Sequence, residues 1–77
     1  MASRAERFQE VTSKASEAKA TAEELREELQ NWKDNMPENL QQGTKAQELE
    51  DAIGELDSII DHLEEAENAE VNFPGMV

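Results

Sequence analysis

Residues 8–36, FQEVTSKASEAKATAEELREELQNWKDNM, decide the fold. The apolar residues that set the period are Phe8, Val11, Ala15, Ala18, Ala22, Leu25, Leu29, Trp32 and Met36, stepping alternately by three and four. That is an unbroken heptad, the period at which one stripe of a helix keeps facing a partner helix. Phe8, Ala15, Ala22, Leu29 and Met36 take the a positions, and Val11, Ala18, Leu25 and Trp32 the d positions. Both sets are expected in a helical seam. Trp32 is read as a core anchor, with a half-exposed interface role as its alternative.

Working outward, Ser3-Arg4-Ala5-Glu6 is a capping box that starts a first helix, and Pro37 stops it. The helix is expected over 4–36. Residues 37–44 read as a polar, punctuated loop with Leu40 as its apolar member. Thr44-Lys45-Ala46-Gln47 is a second capping box, and a second helix is expected over 45–70, fading at 68–70. Its stripe is Ala46, Leu49, Ile53, Leu56, Ile60 and Leu63, with Ala52, Ile59 and Ala66 beside it at g positions. Gly54 faces outward. The tail 71–77, VNFPGMV, is apolar and broken by Pro-Gly. It is open to three readings: a packing flap, a docking peptide or a disordered end.

Two helices joined by a short loop pack antiparallel. The charges test this independently. Lys33 with Glu50, Arg26 with Asp57 and Lys19 with Glu64 share a constant residue-number sum of 83, all at e positions. The core layers share a sum of 85, two higher, as an antiparallel coiled coil requires. Exposed ion pairs contribute little stability, so these set register. The expected fold class is therefore all-α: an antiparallel two-helix coiled-coil hairpin over residues 1–70, dimerising into a four-helix bundle.

Dimerisation is expected because the hairpin leaves apolar surface over. Ala52, Ile59 and Ala66 face Asn35, Glu28 and Thr21, and Phe8 and Val11 overhang the end of the second helix. Either the tail brings Phe73 and Met76 over them or a second chain does. A hairpin of 77 residues buries little by itself, so a homodimer through Phe8, Val11, Ala52, Ile59 and Ala66 is the economical reading.

Composition narrows the function. Nineteen Asp and Glu against seven Lys and Arg give a net charge of −12, against direct nucleic-acid binding and against docking on an anionic membrane. The chain has no 18-residue apolar run and no signal-peptide pattern, so the cytoplasm is the expected compartment. There is no cysteine and a single histidine. His62, beside Asp61 and one turn before Glu65, sits at a solvent-facing c position without a third convergent ligand. Adjacent carboxylates such as Glu23-Glu24 and Glu64-Glu65 diverge on a helix. No catalytic, cofactor or metal residues are expected, and the protein reads as non-enzymatic.

The acidity is lopsided. Residues 1–36 hold eight acids and six bases, net −2; residues 37–77 hold eleven acids and one base, net −10. Glu48, Asp51, Glu55, Asp61 and Glu65 fall on the outer side of the second helix. Carboxylates three or four residues apart lie about 5–6 Å from each other, the order of the phosphate spacing along a DNA strand. Such a face suits a basic protein surface; it also serves plain solubility.

A short acidic helical hairpin of this kind, over residues 3–70 and with those five carboxylates, resembles the small acidic proteins encoded by bacteriophages, some of which act as DNA mimics. The resemblance implies a non-catalytic inhibitor of a nucleic-acid-binding protein. The alternative is a structural or assembly coiled coil that works through its apolar strip and tail.

Overall fold

Ser3 accepts a 3.1 Å hydrogen bond from the Glu6 amide through its side chain, and the first helix begins at the next residue, as the capping box predicts. The computed structural model describes residues 3–40 and 43–74. Helix α1 covers Arg4–Asp34, a single 3-10 turn covers Glu38–Leu40, and helix α2 covers Thr44–Glu67. The two helices pack along their length as an antiparallel hairpin, a rod of 64 × 16 × 14 Å. The fold is all-α, with no strand among the described residues.

Both helices end short of their sequence limits, each at an asparagine. The Asn35 side-chain amide donates to the Asn31 carbonyl at 2.8 Å, and the Asn68 amide donates to the Glu64 carbonyl at 3.0 Å. The Asn35 and Asn68 backbone amides donate to the same two carbonyls, at 3.0 and 3.2 Å, so each asparagine caps the last rung of its helix. Helix α1 stops at Asp34 rather than at 36, with Pro37 disfavouring helical backbone at Met36, and α2 stops at Glu67 rather than at 70.

The start of α2 also corrects the sequence reading. Thr44 is its first helical residue, and Gly43 is the N-cap without a side-chain cap. The Gly43 amide donates to Leu40 O at 3.0 Å, and the Gln47 amide donates to Gly43 O at 3.2 Å. Helix α2 thus begins one residue ahead of the start that the capping box predicts.

The core is thin: Ala15 and Ala22 from α1, with Ala46, Leu49 and Ile53 from α2. Leu29, Met36, Leu56, Ile60 and Leu63 are half-buried around them.

Helix α1 is turned relative to the expected coiled coil. Its d positions, Val11, Ala18, Leu25 and Trp32, are exposed, whereas its e positions, Thr12, Lys19, Arg26 and Lys33, are half-buried. It faces α2 with its a/e edge, about 50° around the helix from the a/d edge at 3.6 residues per turn. The cause lies in the seam. The basic e residues Lys19, Arg26 and Lys33 are half-buried and paired with acids on α2, which holds the a/e edge against it.

Candidate interaction surfaces

The hairpin presents three surfaces. The first is the charged seam. Lys33 Nζ lies 2.8 Å from Glu50 Oε1, Arg26 Nε pairs with Asp57, and Lys19 Nζ lies 3.7 Å from Glu64 Oε1. These are the three pairs that the residue-number sums predict. Lys19 also meets Glu67 at 2.9 Å, a partner the sums did not give. The hydrogen bond to Glu67, aided by the charges of Glu64, Glu67 and Glu23, raises the Lys19 pKa. The same bond, with a second from Ser16, lowers that of Glu67. Arg26 is raised by its hydrogen bond to Asp57.

The second surface is the outer side of α2. Glu48, Asp51, Glu55, Asp61 and Glu65 are all exposed there, with His62 among them. Glu48 is 3.2 Å from Lys45, and Asp51 accepts a 3.1 Å hydrogen bond from Gln47. Three of the seven bases, Lys19, Arg26 and Lys33, are turned into the seam on the other edge of the hairpin. Among the described residues, no group of three or more His, Asp or Glu side chains is placed to hold a metal ion.

The third surface is apolar. Val11 is 51% exposed, Leu25 46%, Trp32 53% and Ile59 47%. Trp32 is thus no buried core anchor, and Leu25 joins a surface that the heptad had placed inside. In an antiparallel pair, the d side of one helix and the g side of its partner flank the same groove. The exposed d row of α1 and the g row of α2 therefore merge into one strip. Of the g residues, Ile59 stands exposed, while Ala52 and Ala66 are half-buried.

The strip ends in a hollow. Phe73 folds back onto Phe8, and Phe8, Val11 and Phe73 line a cavity of about 440 Å³, with Arg4, Arg7, Glu10 and Lys14 around it. Of the described tail, Phe73 packs on the hairpin while Val71, Asn72 and Pro74 are exposed; Met76 lies outside the described residues. Phe8 is consequently half-covered by its own chain, while Val11 stays open. A second hollow, of about 420 Å³, separates Trp32 from Pro37 and Leu40 at the loop end.

No family model, curated protein or solved structure matches this chain. No helix among the described residues is long and apolar enough to cross a membrane.

Proposed function

We propose that the protein is a non-enzymatic interaction module whose acidic outer face on α2 binds a basic protein surface, in the manner of a DNA-mimicking inhibitor of a nucleic-acid-binding protein. One observation carries the reading. Glu48, Asp51, Glu55, Asp61 and Glu65 stand exposed on one helix, while Lys19, Arg26 and Lys33 are engaged at the seam. A row of carboxylates on a stiff helix keeps its spacing on approach, and opposite charge accelerates encounter. The likeness to small acidic phage proteins and a cytoplasmic setting belong to the same proposal.

The test is capture from a cell lysate with elution along a salt gradient. The wild type should retain basic proteins that elute as salt rises. The triple variant Glu48→Gln, Asp51→Asn, Glu55→Gln should lose them with unchanged helicity. Retention of the same proteins by the triple variant overturns the proposal.

A second reading, a structural or assembly element, is favoured by the exposure of Val11, Leu25, Trp32 and Ile59. It reverses the sensitivity: Ile59→Lys and Phe73→Ser abolish capture, and the acid-to-amide changes do not.

A further inference from the structure

We infer that the apolar strip is the interface of a homodimer in which two hairpins lie face to face and antiparallel, each seating its Trp32 in the hollow beside Val11 and Phe73 of the other. This goes beyond the acidic-face reading and stands without it.

The order of side-chain sizes along the strip supports the arrangement. From the open end toward the loop, the α1 row reads Val11, Ala18, Leu25, Trp32. Beside it, the α2 row reads Ala66, Ile59, Ala52, with Ala66 level with Ala18 and Ile59 level with Leu25. A two-fold axis crossing the rod between Ala18 and Leu25 lays α1 on α1 and α2 on α2. Leu25 then meets Ala18 of the second copy, Ile59 meets Ala66, and Trp32 meets Val11. Large side chains fall on small ones at every level, as an isologous contact requires. A two-fold axis along the rod instead stacks Leu25 on Ile59 and leaves Ala18 over Ala66, a clash next to a void.

Charge selects the same axis. The g row bordering α1's side of the strip runs Arg7, Lys14, Thr21, Glu28, Asn35, basic at one end and acidic toward the other. The crossing axis brings Lys14 to Glu28 of the second copy, twice. The lengthwise axis brings Glu28 to Glu55.

The hollow suits an indole. Phe8, Val11 and Phe73 supply its apolar lining, and of the charged residues that complete it, Arg4, Arg7, Glu10 and Lys14, the arginines offer a cation–π contact to an incoming ring. Area is sufficient. Val11 to Trp32 spans about 32 Å at 1.5 Å per residue. Over a rod 16 Å wide this covers about 500 Å² per copy, or about 1,000 Å² in total, where specific interfaces begin. The outward Asp51, Asp61 and Glu65 remain free of this face.

The chain has one tryptophan, so its emission reports the contact directly. Sedimentation equilibrium should give about twice the 8.7 kDa chain mass at micromolar concentration. On dilution, Trp32 emission should shift to the red in step with the fall in mass. Val11→Asp should weaken association about a hundredfold and red-shift Trp32. Val11 and Trp32 are about 32 Å apart within one hairpin, so that shift passes through a second copy. Lys14→Glu should weaken association about tenfold, and Glu28→Lys in the same chain should restore it. Circular dichroism keeps unfolding distinct from dissociation, and the Lys14–Glu28 exchange decides the orientation even if Val11→Asp loses helicity. A monomer at all concentrations, a Trp32 spectrum insensitive to dilution, or no recovery in the double variant overturns the proposal.

Discussion

Phe73 stands edge-on to Phe8, with ring centroids 6.0 Å apart and ring planes at 64°. This is a preferred aromatic geometry, and it pins the tail to the first turns of α1. Phe73→Ala should destabilise the hairpin by about 1–2 kcal/mol, through lost apolar burial and the lost ring contact. Thermal melting followed by circular dichroism checks this, with exposed Val71→Ala as the control that leaves the midpoint unchanged.

The Arg26–Asp57 pair fixes register at the middle of the seam. Asp57→Lys should lower the melting temperature by setting like charges together. Adding Arg26→Glu should recover most of the loss. A double-mutant cycle measures the coupling, and strict additivity would contradict the pairing.

Glu67 and Lys19 make stability depend on pH at both extremes. The pKa of Glu67 is lowered in the folded chain, so its contribution is present above its unfolded value, about 4.3, and is lost as pH falls through the folded value. That of Lys19 is raised, so its contribution is present below about 10.4 and is lost as pH climbs through the folded value. The stability difference between wild type and Glu67→Gln should be flat from about pH 5 to 10 and shrink outside that window. Subtracting the variant removes the background of the other eighteen acids. Urea titrations at stepped pH test it, and a difference that grows at pH 3 would refute the assignment.

Gly54 lies mid-helix, and a methyl group added there would meet no atom within 4 Å. Gly54→Ala should stabilise the protein by about 1 kcal/mol, by reducing the freedom of the unfolded chain. A melting midpoint no higher than the wild type's would show that this turn of α2 is already strained or frayed.

Much of this architecture was legible before the structure, because two kinds of residue carried the same message. Apolar steps of three and four located the helices, and Lys19, Arg26 and Lys33 found Glu64, Asp57 and Glu50 by number alone. The rotation of α1 was not legible. A heptad treats Lys19 and Lys33 as flanking residues, yet both are half-buried in the seam while Leu25 and Trp32 are exposed. The sign was present in the row of long basic side chains at e, each opposite an acid, beside alanines at a. The helix ends differed because each falls at an asparagine cap, Asn35 or Asn68, which apolar periodicity does not register. On the candidate surface, the outward carboxylates of α2 followed from the helix period, whereas the joining of the d and g rows needed the rotation.

The narrowness of the rod has a consequence for how the molecule comes apart. At 16 × 14 Å in section, each level of the hairpin is held by its own few side chains. Ala46, Leu49 and Ile53 are buried toward the loop, whereas the buried residues of α1 among those described are two alanines, Ala22 near its middle and Ala15 beyond it. The chain therefore behaves as a zipper closed at the loop, opening from the tail inward once Phe73 leaves Phe8. Amide protection should fall in steps along α1 from the level of Ile53 toward Arg4, and the outermost turns can melt and re-form while the loop half stays helical.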